Sequence, residues 1–391
     1  MKKIFTFLSL LMVVSMLLSA CVQQATPTVA PPEPTKAPEQ PTQAPAKPTE
    51  APTVAPTAAP KLGELLKIGM ISQQSGVMAL YGQQQYRGFM LGLEYMSQGK
   101  KDDAGHFIIA NRPVEVLLRD DEGNAEKAVS LARELVEKDG VEILQGPVSS
   151  ASAAALTTVA KDYKIILMID PAASAFTTGK FFNPYVFRTA RTSYDDVLII
   201  AKYLIENVGK KFAHIGVDNA FGQGSGAALE FAVKKFGGEG VTQIYAPLET
   251  TDFTPYIQKA MDSGAQCLFL TWSGTGYVTL FQQLGDLGAM DKMRVATGYG
   301  DNASFAAVYG SALGQIGLNV YHYTAVQNPV NDWLTKRHIE DFKEPPDLFT
   351  AGGMASAIAL STALEKTQGD AKGDSLIPAL EGLKFEGPKG T

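Results

Sequence analysis

The sequence predicts an α/β fold of two lobes, each a parallel sheet covered by helices. Three observations predict it. From Leu65 onward, short apolar runs alternate with amphipathic helical stretches, the pattern of parallel sheets buried on both faces. That rhythm runs to about Arg188 and then restarts. The chain has 391 residues, more than one hydrophobic core serves.

The N-terminus carries no part of either lobe. Met1-Lys2-Lys3 is a basic start, and Ile4–Leu18 is an apolar run too short to span a membrane comfortably. Small residues follow in Leu18-Ser19-Ala20-Cys21, so residues 1–20 are expected to be a signal peptide. The tetrapeptide resembles the lipobox of bacterial lipoproteins, which implies that Cys21 becomes the lipid-modified first residue. Gln23–Pro60 is almost entirely Pro, Thr, Ala, Gln and Glu, without an aromatic residue, and cannot bury apolar surface. Residues 21–62 are therefore expected to be an extended stalk of ~3.1 Å per residue between anchor and body.

In the first lobe the expected strands are Leu66–Ile71, Val114–Leu118, Val141–Gln145 and Lys164–Ile169, with an extended piece at Tyr185–Arg188. The Gly82–Gln98 helix places Tyr86, Phe89, Met90, Leu93 and Met96 on one face. Ala125–Lys138 repeats the pattern with Ala128, Leu131, Leu135 and Val136. A third helix starts at Ser149-Ser150, where a serine hydroxyl can cap the unpaired amides of the first turn. The alanines behind it favour helix.

The second series reads as helix Tyr194–Asn207, strand Phe212–Val217, helix Gly222–Lys235, strand Val241–Tyr245, helix Thr254–Met261 and strand Gln266–Thr271. Helix Val278–Leu287 and strands Arg294–Thr297 and Leu318–Tyr323 complete it. Helical stretches at Asp332–Phe342, Phe349–Glu365 and Ser375–Leu383 have no sheet of their own. They are expected to return to the first lobe.

In open parallel sheets, ligands bind beyond the carboxyl ends of strands. Two such ends, Gly146–Ser150 and Asp170–Ser174, are small and polar. Beside them a helix start offers free N–H groups and partial positive charge to an anion. Ser149 and Ser150 either serve that role or only cap their helix. Catalytic patterns are missing. None of the four histidines falls in an HExxH spacing, and there is no CxxC, no GxxxxGK[ST] and no GxSxG. The acidic run Asp120–Glu122 reads as solvated rather than metal-binding. Mild acidity, at a formal charge of −6, argues against nucleic acid. Cys267 lies in an apolar run and reads as a buried small hydrophobe. The glycine-rich Phe221–Gly226 reads as a turn that lets backbone approach a ligand or the facing lobe. No enzyme, cofactor or metal is expected.

Several stretches together resemble the branched-chain amino-acid (leucine/isoleucine/valine-type) binding proteins of bacterial ABC importers. They are Lys67-Ile-Gly-Met-Ile-Ser-Gln-Gln-Ser-Gly76 with Tyr81-Gly82, Asp120-Asp121, Gly146–Ser150, Ile166–Ser174, Phe187-Arg-Thr189 and Phe221-Gly-Gln-Gly224. The resemblance implies a type I periplasmic binding protein, two Rossmann-like lobes joined by a three-segment hinge with ligand in the interlobe cleft. It implies a first lobe over 63–190, a second over 191–322, returning helices over 323–386, and a third crossover starting at 387–391, beyond which the family adds strands. It also implies an extracytoplasmic monomer that delivers its solute to ABC permease subunits.

By that resemblance, Ser150 meets the ligand carboxylate beside Ser149. The Ala172 carbonyl accepts from its ammonium, next to Ala173, and Ser174 holds both ends. Tyr81, Phe221 and Trp272 are walls. The family's ammonium-pairing glutamate is absent from Thr297–Asp301, which offers Tyr299 and Asp301 instead. Asp301 either pairs the ligand or caps the next helix. The expected ligand is a branched-chain or other hydrophobic amino acid. The alternative is an amide, a urea-like compound or an aromatic acid, for uptake or sensing.

Overall fold

The computed structural model describes residues 62–391 except 275, 311 and 313, and not the side chain of residue 299. The signal peptide, Cys21 and nearly all of the stalk lie outside the described residues.

The first sheet has six strands: β1 (Leu66–Ile71), β2 (Phe107–Ile109), β3 (Arg112–Arg119), β4 (Ile143–Gln145), β5 (Ile166–Ile169) and β6 (Val186–Arg188). Their order is β2-β3-β1-β4-β5-β6, parallel except for the β2–β3 hairpin. The second sheet has β7 (Lys211–Val217), β8 (Glu239–Ala246), β9 (Cys267–Thr271), β10 (Arg294–Gly300) and β11 (Ile316–Asn319) in the order β11-β10-β9-β7-β8, all parallel. The α/β reading with two parallel-sheet lobes holds.

Three details differ from the sequence reading. The β2 strand was not expected, because three residues are too few to display a period. The helix expected over Ala125–Lys138 ends at Glu134 and continues as one π-helical turn, Leu135–Asp139, closed by Gly140 at φ +71°. The strand expected at Leu318–Tyr323 is Ile316–Asn319, and Tyr321 already packs in the core of the first lobe.

Helices cover both sheets. In the first lobe these are α1 (Ala79–Ser97), α2 (Ala125–Glu134) and α3 (Ser150–Tyr163). In the second they are α4 (Ser193–Asn207), α5 (Ala220–Lys235), α6 (Thr254–Asp262), α7 (Gly276–Asp286), α8 (Ala289–Lys292) and α9 (Asn302–Val308). The late helices α10 (Pro329–Phe342), α11 (Leu348–Lys366) and α12 (Gly373–Leu380) pack into the first lobe, as expected. α11 is apolar on all sides because it is a core helix, with 89% of its apolar window buried. It lies tight on α1, since a Cβ on Gly88 would stand 2.0 Å from the Thr350 carbonyl oxygen.

Candidate functional site

The carboxyl ends of the strands in both sheets face a cavity between the lobes. It encloses about 540 Å³ of atom-free space, part of it open to solvent. Met78, Tyr81, Val148, Ser149, Ser150, Pro171, Ala173 and Phe349 line it from the first lobe. Asn219, Phe221, Trp272 and Ser273 line it from the second, and Arg191 from the crossover between them.

The start of α3 forms part of the first-lobe lining. Ser149 caps α3, its Oγ accepting from Ser152 N–H at 3.4 Å. Ser150 Oγ accepts from Ser174 N–H at 3.2 Å. Each hydroxyl keeps a proton that can turn toward a ligand. Arg191 also lines the cavity, 13% exposed, its Nε donating to Asp196 Oδ2 at 3.1 Å. Burial pushes the Asp196 carboxyl up to about 6, and Arg191 partly offsets this. Asp170, at the end of β5, is 1% exposed, and burial pushes it up to about 7 against the charges of Lys389, Arg191 and Arg188.

The other walls are apolar. The Tyr81 ring lies 4.3 Å from that of Phe349, and Trp272 meets Phe253 edge-on at 4.8 Å. Asn219 is occupied as the cap of α5, accepting from Phe221 N–H and Gly222 N–H. The glycine-rich Phe221–Gly226 is not a turn but the start of helix α5; Gly224 does approach the facing lobe, where a Cβ would stand 3.3 Å from Ser174 Oγ.

Tyr81, Ser149, Ser150, Ala173, Phe221 and Trp272 thus come together as the sequence suggested. Ala172 and Ser174 are not among the residues lining the cavity, and Asp301 takes the second of its two expected roles. The Ala172 carbonyl accepts from Arg188 Nη1 at 2.9 Å. The Ser174 carbonyl accepts from Arg188 Nη2 at 2.7 Å, and its Oγ accepts from Phe176 N–H. Asp301 caps α9, accepting from Ser304 N–H at 2.8 Å and Ser304 Oγ at 2.7 Å, and does not line the cavity. The Tyr299 side chain and Cys21 lie outside the described residues.

Arg191 and Phe349 were missed. Arg191 had a signal, because it sits in the expected first crossover, where chain must pass the cleft. Phe349 had none, because only the return of α11 to the first lobe brings it there. No carboxylate lines the cavity among the described residues. Arg191 is the one charged side chain in the lining among the described residues, and the Asp301 carboxylate reaches the hydroxyl of the lining residue Tyr81.

The sequence profile of the family described as periplasmic binding protein matches residues 66–391. A Leu/Ile/Val-binding protein homolog of Brucella melitensis is 27% identical over 343 residues, covering 85% of this chain and 84% of its own. A solved ABC-type branched-chain amino acid transporter protein from Rhodopseudomonas palustris is 33% identical, with a TM-score of 0.68 over 83% of this chain and 86% of its own. A solute-binding protein from the same species, solved with 3,4-dihydroxybenzoic acid, is 26% identical, with a TM-score of 0.73 over 83% of this chain and 87% of its own.

Proposed function

Because this chain belongs to the periplasmic binding protein family, the solute-binding components of ABC transporters, we propose that it captures a small carboxylic acid with an aromatic or other apolar body. The observation that carries this reading is the pairing of Arg191 and the α3 start with a lining free of acids among the described residues. A carboxylate gains charge-assisted hydrogen bonds there. An α-ammonium would be desolvated without a partner, which is costly. The relative solved with 3,4-dihydroxybenzoic acid supports an aromatic acid.

The names of other relatives support a branched-chain amino acid instead. That reading requires Asp301 to leave its helix cap and turn to the ligand. We further read the chain as a monomeric binder rather than an enzyme, tethered outside the membrane by lipid on Cys21 and delivering solute to a permease. Cys21→Ser is then expected to move the protein from the membrane fraction to the soluble fraction.

The test is a thermal-shift titration with benzoate, 4-hydroxybenzoate, 3,4-dihydroxybenzoate, benzamide, leucine, isoleucine and valine. A solute that binds only the folded state raises the melting temperature with concentration. Shifts with the aromatic acids but not with benzamide support the proposal. Shifts with the amino acids alone overturn it in favour of the second reading.

A further inference from the structure

The lobes touch across the cavity's rim at Tyr81. This residue is in the first turn of α1, and its Oη accepts a hydrogen bond from the Gly274 N–H of the second lobe at 3.2 Å. The Asp301 carboxylate and Ser304 hydroxyl, also of the second lobe, interact with the same hydroxyl. Beside it, Ser273 Oγ lies 3.6 Å from Met78 Sδ. Gly274 has φ +73°, and a Cβ on it would stand 2.7 Å from the Val77 carbonyl oxygen. A larger residue would hold the two loops apart. The Tyr81 ring meanwhile lines the cavity, packed at a tilt of 39° against Phe349. One side chain therefore touches both the solute's place and the facing lobe.

We propose that Tyr81 is a closure latch: its ring contacts the bound solute, and its hydroxyl, seated on the Gly274 amide, holds the lobes shut. This rests on the binding reading above for the solute, but the latch itself is a contact between lobes. Solute bound against the ring steadies the phenol, and the phenol in turn opposes opening. Release then requires breaking the Tyr81–Gly274 bond.

Tyr81→Phe separates the two roles, because it keeps the ring and its contact with Phe349 and removes only the hydroxyl. Spin labels at Lys100→Cys in the first lobe and Lys292→Cys in the second, both exposed, report the interlobe distance, with Cys21→Ser in the background. Cys267 is buried, and burial pushes its thiol up to about 12, so it stays unlabelled. The expected result is a larger share of long distances in Tyr81→Phe. For a probe that binds, 4-hydroxybenzoate or leucine, dissociation is expected to be ~3–10-fold faster, the effect of one net hydrogen bond. Identical distance distributions in the two proteins overturn the latch, whichever probe binds. Failure of both probes to bind wild type counts against the functional reading alone, since the distances still decide the latch.

Discussion

Ser150 and Arg191 both line the cavity, one from a helix start and one from a crossover. Their removal is expected to have different consequences. Ser150→Ala leaves α3 capped by Ser149, so the fold should persist. It removes one hydroxyl donor to a charged group, worth roughly 1.5–3 kcal/mol, or about a ten- to hundredfold loss of affinity. Titration calorimetry with the solute found in the thermal screen checks this, and wild-type-like affinity rejects the carboxylate role. Arg191→Ala should cost stability as well, because Asp196 loses the partner that offsets its burial. At this scale the sequence was half legible. Ser149, Ser150 and Ala173 could be read because strand ends of small residues before a capped helix have a local signature. Asp301 could not be resolved between ligand and cap, since both uses need the same acid before a helix. Nor could Ala172 be read, because its partner Arg188 is sixteen residues on in the chain.

The helices were legible because a 3.6-residue apolar period survives in a single sequence, and predicted and observed bounds differ by one to four residues at most ends. What periodicity does not carry is how closely two helices approach. α1 and α11 meet through Gly88, Gly92 and Gly353, each too close to the facing helix for a side chain. Gly88→Ala would drive a Cβ to 2.0 Å from the Thr350 carbonyl oxygen, which backbone cannot evade without separating the helices. Overpacking of this kind costs typically ~1–3 kcal/mol or more. Gly285 in α7 has nothing within 4 Å of its Cβ position. There alanine should be neutral or stabilising by up to ~1 kcal/mol from helix propensity. Urea unfolding of the two variants should therefore move the midpoint in opposite directions, or leave Gly285→Ala unmoved while Gly88→Ala falls. Equal losses would show that the α1–α11 contact is not the constraint.

The two-lobe architecture followed from a rhythm that restarts, but the charges that meet around Asp170 come from three separate parts of the chain. Asp170 ends β5, Arg188 and Arg191 flank the first crossover, Asp196 is in α4, and Lys389 arrives near residue 391. Asp170 Oδ2 has no hydrogen-bond partner among the described residues, and the facing cations Lys389, Arg191 and Arg188 do not outweigh its burial. Its folded pKa is raised from 3.8 to about 7. In the unfolded chain the group ionises near pH 4. Between about pH 4 and 7 the native state therefore holds a proton that the unfolded state lacks, and stability falls as pH rises. The contribution is whole below pH 4 and lost once pH passes about 7. A shift of this size has a ceiling of about 4 kcal/mol. Asp170→Asn keeps the shape and cannot ionise, so its melting temperature should match wild type near pH 4.5 and exceed it by several degrees at pH 8. Asp196, raised to about 6, adds a dependence of the same sign that both proteins share. A difference between variant and wild type that stays constant from pH 4.5 to 8 would mean that Asp170 is ionised in the folded protein throughout. Asp170 would then be held by a charge pair with Lys389 rather than buried as a neutral acid.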